Sequence, residues 1–224
     1  MLSNEEVMQA SADRMISSNE NKHIRYEGNA RAWQGANRVD ADRIEIDRDR
    51  GVMEAHGKVV SQFADKSQAK AQEKGAKAKA PASPVFTKVT APDLVYTEQT
   101  RVAYYQGGTF LERPGLKVNS KDLQAFLKPA DSDSSLDKAF ADGAVKIVSV
   151  SSTGKTARTR TGTSEHGEYY ADDQKVILQK GQPLLVDTAQ GNTTGEKITL
   201  WINSDRLVVE RGESKQAEST IRKK

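Results

Sequence analysis

Apolar and polar residues alternate along most of this chain in short runs with a period of two. The pattern is plain in HIRYEGNARAW, NRVDADRIEID and VMEAHGKVVSQF near the start, and in PDLVYTE, RVAYYQGGTF and KVNSKDLQAFL in the middle. It returns in AVKIVSV, KVILQ, PLLVD, EKITLWI and DRLVVE toward the end. Alternation at this period turns one face of a strand to a core and the other to water. Between the runs lie QGAN, DRDRG, RPG, KPADSDSS, SSTG and QGNTTG, which supply the Gly, Pro, Asn, Asp and Ser that tight reversals need. No long segment sustains the i, i+3, i+4 spacing of a helix, so the chain is expected to be all-β. Residues 65–83, DKSQAKAQEKGAKAKAPAS, carry almost nothing to bury and are expected to form a flexible, solvated insert.

The alternating runs repeat. A shift of 79 positions places Ala12 on Ala91, Tyr26 on Tyr105, Gly28 on Gly107, Val39 on Val118 and Ile44 on Leu123 without a gap. A looser third copy, at shifts of 153 to 155, places Ala12 on Gly167, Gly28 on Gly181, ADRI on GEKI and Gly57 on Gly212. EAHGKVV at 54–60 also resembles FADGAVK at 140–146, a spacing of 86. About three copies of one unit of roughly four short strands are therefore expected, stacked because no single copy covers its own apolar face. A glycine recurring inside a strand pattern marks a bulge or bend. Gly28, Gly107 and Gly181 are accordingly expected to fold each long strand across two faces.

Composition narrows the possibilities. At 224 residues, 36% hydrophobic and 29% charged, with mean hydropathy of −0.71, the chain is surface-rich, which suits an elongated body. Its 34 basic and 31 acidic side chains are interspersed and leave a net charge of only +3, which argues against a nucleic-acid partner. With no cysteine there is no disulfide framework and no thiolate metal site. The opening MLSNEEVMQA lacks the basic-then-apolar order of an export signal, as would a cytoplasmic protein or one whose signal has been removed.

Enzyme chemistry finds no foothold. His23, His56 and His166 are far apart and lack metal-ligand spacing. STGKT at 152–156 has no upstream glycine of a phosphate loop, and DSDSS at 131–135 has no acidic twelfth position for calcium. No catalytic residue, metal or cofactor is expected.

IRYEGNARAWQGANRVDADRIEID followed by GVMEAHGKVV resembles the OstA-like unit of the periplasmic lipopolysaccharide-transport proteins. That group includes LptA, the N-terminal domain of LptD and, more distantly, LptC. Tyr26, Gly28, Asn29, Ala41, Asp42, Arg43 and Ile44 carry the likeness, and GEYYADDQKVILQKGQPLLVD with GEKITLWINSDRLVVERG extends it. The insert and Gly107-Gly108, in place of Gly-Asn, depart from the simplest pattern. The resemblance implies an elongated, open β-jellyroll, V-shaped and built of stacked antiparallel strands. It implies one domain over 1–224, interrupted by the insert at 65–83 and ending in a disordered tail at 213–224. It further implies a periplasmic bridge component that takes lipopolysaccharide acyl chains into an apolar trough. Its partners would be other jellyroll proteins of the same pathway and further copies of itself, joined head to tail.

Alternation predicts which side chains face inward, and the resemblance makes them the trough. In the first copy these are Ala12, Tyr26, Ala30, Ala32, Val39, Ile44 and Ile46. In the second they are Tyr105, Val118, Leu123, Val145 and Ile147, and in the third Tyr169, Val176, Leu178, Ile198 and Leu200. The same residues would equally fill an ordinary sandwich core, although the small Ala30, Ala32 and Ala41 favour a hollow. Arg25, Arg31, Arg38 and Arg43 are candidates for head-group phosphates or, more simply, solvated strand faces. The alternative function is a β-repeat scaffold or adhesive module that moves no lipid.

Overall fold

The computed structural model describes residues 7–65, 85–128, 136–153, 156–202, 204, 206–212 and 218–221. Apart from Asp65, the insert expected at 65–83 lies outside them. Strands account for all the regular structure among the described residues. The first seven are β1 (Gln9–Ser11), β2 (Arg14–Ser18), β3 (His23–Gln34), β4 (Asn37–Asp47), β5 (Val52–Asp65), β6 (Val85–Thr97) and β7 (Val102–Gln106). Next come β8 (Thr109–Arg113), β9 (Leu116–Ser120), β10 (Asp122–Leu127), β11 (Leu136–Thr153) and β12 (Thr156–Tyr170). Then follow β13 (Lys175–Gln179), β14 (Leu184–Asp187), β15 (Gly191–Thr194), β16 (Lys197–Trp201), β17 (Leu207–Glu210) and β18 (Glu218–Ile221).

The chain resolves into two compact units. The first comprises Met1–Gly107, Leu111–Pro114 and Gln124–Leu136, and the second Gly108–Phe110, Gly115–Leu123 and Asp137–Lys224.

In the first unit β3, β4, β5, β6 and β7 form an antiparallel series, each paired with the next. The turns lie where the sequence placed them, for example at Gly35–Ala36 between β3 and β4. Two apolar rows cross these strands. One runs Tyr26, Ile44, Ala55, Leu94, Tyr105, and the other runs Ala32, Val39, Ser61, Val89.

Between the two rows every long strand is interrupted. Gly28-Asn29 on β3 lie opposite Asp42 alone, and Gly57-Lys58 on β5 lie opposite Pro92 alone, with all four of these bulge residues at positive φ. An extra residue on one strand of a pair bends it and sharpens its twist, so the bulges separate the two faces of each strand.

Gly57 shows why glycine is required. At φ +75° an added Cβ would come within 2.4 Å of an Asp42 carboxylate oxygen. Gly57→Ala is expected to cost about 1–2 kcal/mol through the left-handed backbone alone. Chemical denaturation checks this, and a loss below about 0.5 kcal/mol would mean the bulge relaxes freely.

The same device recurs at the predicted spacings. A Cβ at Gly28 would strike Asp13, and one at Gly107 would approach Pro92, 79 positions on from each. Likewise Gly57 faces Asp42 while Gly143 faces Lys121, and Asp13 N–H donates to Gly28 O as Lys121 N–H does to Gly143 O, both at 2.9 Å. The third copy is offset from its expected alignment. Glu165 lies against Gly181 as Asp13 lies against Gly28, so Ala12 corresponds to Ser164 rather than Gly167.

In the second unit β12 pairs with β11 along one side. On the other side it pairs with β13 through His166–Tyr170 and with β14 through Arg160–Thr163. β13 continues to β16 and β17, and β14 to β15 and β18. Two expectations change. QGNTTG is not only a turn, because Gly191–Thr194 form β15, where β-branched threonines suit a pleated strand. Residues 218–221 of the expected disordered tail form β18, which satisfies backbone groups of β15. The rest of 213–224 lies outside the described residues.

Candidate functional site

Of the seventeen residues predicted to line a trough, fifteen are buried, and Ala12 and Tyr26 are partly exposed. Inward orientation thus follows the alternation. Ala30, Ala32 and Ala41, expected to leave a hollow, are themselves buried. Small side chains there let neighbouring groups approach closely instead of leaving space.

One place in this lining is polar. The hydroxyls of Ser61 and Tyr105 are both buried. Burial pushes the Tyr105 hydroxyl above its ordinary pKa, and a contact with the Ser61 hydroxyl offsets part of that rise. Alternation placed Tyr105 inward, whereas Ser61 was missed. Its position two residues from each of the buried Val59 and Phe63 was the available signal.

The arginines proposed for a phosphate-binding rim are engaged elsewhere. Arg25 pairs with Glu45 at 3.2 Å, Arg31 and Arg38 with Asp40 at 2.5 and 2.7 Å, and Arg43 with Glu45 at 3.0 Å. Both carboxylates lie on β4, across from Arg25 and Arg31 on β3 and two residues along the strand from Arg38 and Arg43.

Two depressions open on the first unit. One, of about 300 Å³, is lined by Ile16, Ile24, Ile46 and Val52 among charged residues that include His23, Arg50 and Asp47. Asp47 is held below the usual carboxylate range, chiefly by the backbone N–H of Arg50 at 3.0 Å. The other, of about 390 Å³, is lined by Trp33 and Phe86 together with Arg31 and Arg38.

Each histidine sits against a carboxylate, His56 against Asp93 at 2.8 Å, His166 against Asp142 at 2.6 Å and His23 against Asp47 at 3.5 Å. Among the described residues no group of three His, Asp or Glu is arranged to hold a metal ion.

In the second unit the most concentrated electrostatics surround Asp187. Arg158 Nε donates to both carboxylate oxygens at 2.9 and 2.8 Å, Arg160 Nε donates at 3.0 Å, and the Ala189 N–H donates at 2.8 Å. Burial alone would raise this carboxyl, but the two guanidinium groups and the backbone donor bring it down to about 2.

Residues 2–52, which contain β1 to β4 and the Gly28-Asn29 bulge, match the family described as LptA/(LptD N-terminal domain) LPS transport protein. That first segment resembles the family. The fold is also similar to a crystal structure of LptH, the LptA homologous periplasmic component of the conserved lipopolysaccharide transport device from Pseudomonas aeruginosa. The TM-score is 0.53 at 13% identity, over 61% of this chain and 95% of that one, which supports a β-jellyroll of the LptA type. None of the curated proteins matches the chain.

Proposed function

We propose that this chain is a periplasmic component of lipopolysaccharide transport and that its apolar interior shelters acyl chains. The observation that carries this reading is the family match over residues 2–52, a segment that supplies Ala12, Tyr26, Ala30, Ala32, Val39, Ile44 and Ile46 to the interior. No bond is made or broken. Each buried CH₂ contributes about 0.8 kcal/mol, so a long acyl chain gains on the order of 10 kcal/mol once inside. Because the lining is buried, that gain must first part the two faces of a unit, which keeps net affinity low enough for lipid to be passed on.

Transfer requires neighbours. All five residues of β2 are exposed, with Met15 56% and Ile16 37% accessible. An exposed strand bearing apolar side chains invites addition of another strand, from a further copy or from a jellyroll protein of the same pathway. Head-to-tail addition of this kind grows as a filament.

A photo-crosslinking residue at Tyr26, inward and partly exposed, is expected to capture lipopolysaccharide, whereas one at the outward-facing Arg25 is not. Equal capture at both positions, or none at Tyr26, would remove the trough. The buried lining also favours a second reading, a β-repeat scaffold that holds no lipid, and absence of capture at Tyr26 would select it.

A further inference from the structure

The outer face of the first unit carries, at the end of its strands marked by the β3–β4 turn, the depression of about 390 Å³ lined by aromatic and cationic side chains. Parity puts them there. Ala32 and Val39 are buried on the inner face, so Arg31 and Trp33 on β3 and Arg38 on β4 point the other way. Trp33 stands directly opposite Arg38, Gln62 of β5 is next in that row, and Phe86 of β6 adds a second ring to the lining. The charges here do not balance. Arg31 and Arg38 share one carboxylate, that of Asp40. Arg31 Nε donates to it, while Arg38 Nε lies 2.7 Å away without the alignment of a hydrogen bond. The terminal amino groups of both arginines make no hydrogen bond among the described residues. Two guanidinium groups against one carboxylate leave one positive charge in excess. Lys88, beyond Gln62 in the same row, is exposed and outside the lining. The depression at the opposite end of these strands differs, because there Arg25 and Arg50 meet Glu45, Asp47 and Glu54, and carboxylates outnumber arginines.

We propose that this depression is a binding site for a carboxylate carried on an aromatic body, either a free aryl acid or the end of a peptide chain that finishes in an aromatic residue. The site lies on the opposite face of the strands from the apolar interior and is independent of the trough reading. A guanidinium presents its N–H donors in a fork that matches a carboxylate, and here the forks of Arg31 and Arg38 retain their terminal donors. Trp33 and Phe86 supply ring surface for the apolar part of the ligand. Charge selects among oxyanions. A carboxylate neutralises an excess of one, whereas a phosphate monoester brings close to two negative charges and meets the repulsion of Asp40. The volume lies within the range of about 300–1,000 Å³ typical of small-molecule clefts, at the end suited to a single ring with its acid group.

Trp33 reports on the site once Trp201, the other tryptophan of the chain, is replaced by phenylalanine. In that full-length Trp201→Phe background, fluorescence titration compares 3-phenylpropionate, its amide, phenyl phosphate, and N-acetylated alanyl-alanyl-phenylalanine with a free or an amidated C-terminus. The two acids are expected to bind about tenfold more tightly than their amides and than phenyl phosphate. Arg31→Gln and Arg38→Gln are each expected to remove most of that preference. Both side chains are about half exposed, so these variants are expected to keep their fold, which circular dichroism checks. Asp40→Asn raises the excess charge and is expected to tighten the acids several-fold, whereas an aspartate that merely held the arginines in place would weaken them when lost. Tighter binding of the peptide assigns the site to a chain end and tighter binding of 3-phenylpropionate to a free acid, and either result upholds the proposal. Acids and amides binding equally or not at all, phenyl phosphate binding best, or ratios unchanged in both arginine variants would overturn it. None of these measurements involves lipid, so such a failure leaves the trough reading where it stands.

Discussion

Asp187→Ala is expected to destabilise the protein by about 3–5 kcal/mol, seen as a fall in the midpoint of urea unfolding followed by circular dichroism. Asp187 is 5% exposed and Arg160 2%. The carboxylate accepts from Arg158, Arg160 and two backbone N–H groups, those of Ala189 and Gln190. Removing it takes away the carboxylate that both largely buried guanidinium groups share, which is why loss of one partner costs more than the intact cluster contributes. Replacing Asp187 and Arg160 together by Leu and Met should recover much of the loss, because no buried charge is then left at Arg160. The same cluster sets a pH dependence. The folded-state value of about 2 lies below the ordinary aspartate value of 3.8, so the stabilisation is complete above that ordinary value. It is lost as pH falls toward 2, and the loss amounts to about 2 kcal/mol. Asp187→Ala should flatten that part of the acid-unfolding profile. A loss under about 1 kcal/mol with an unchanged profile would mean the cluster is solvated and contributes little.

Ile44→Ala is expected to cost about 2–5 kcal/mol, against about 1 kcal/mol for Ile44→Val, measured in the same way. Ile44 is completely buried at the centre of the row from Tyr26 to Tyr105, paired with Tyr26 on β3 and Ala55 on β5. Truncation removes apolar surface and leaves a cavity that neighbours held in a hydrogen-bonded ladder fill only in part. This result decides between two pictures of the interior. A close-packed lining yields the full penalty, whereas in an open, wetted trough the side chain already lies partly in water and its loss costs less than the full transfer cost of the missing carbons. A penalty below about 1.5 kcal/mol would therefore support the accessible slot that the sequence suggested.

Much of the architecture was legible because its signals are local. Period-two alternation marked β3, β4 and β5 and the inward set from Ala30 to Leu200, since side-chain direction along a strand depends only on parity. The 79-residue spacing located the bends, because the left-handed backbone at Gly28 and Gly107 restricts the residue type. The fit failed where parity was reset. With Glu165 against Gly181, Ala12 corresponds to Ser164 rather than Gly167, and a degenerate third copy carried too few matches to reveal the slip. Ser61 was passed over because a lone serine between Val59 and Phe63 looks the same in sequence whether buried or exposed.

By itself, then, the sequence determined that this is an antiparallel β protein with glycine-marked bends recurring along it, an inward apolar stripe on each strand and an OstA-like first segment. Each of these follows from residues within a few positions of one another. Tertiary structure alone decided the division into two units, the pairing of β18 with β15, the burial of the lining, the engagement of Arg25 to Arg43 by carboxylates and the gathering of Arg158 and Arg160 onto Asp187. The partners in most of these contacts are separated by long stretches of chain, or depend on what packs opposite. Their free energies come from desolvation and charge pairing, which are defined only once the strands have found their register.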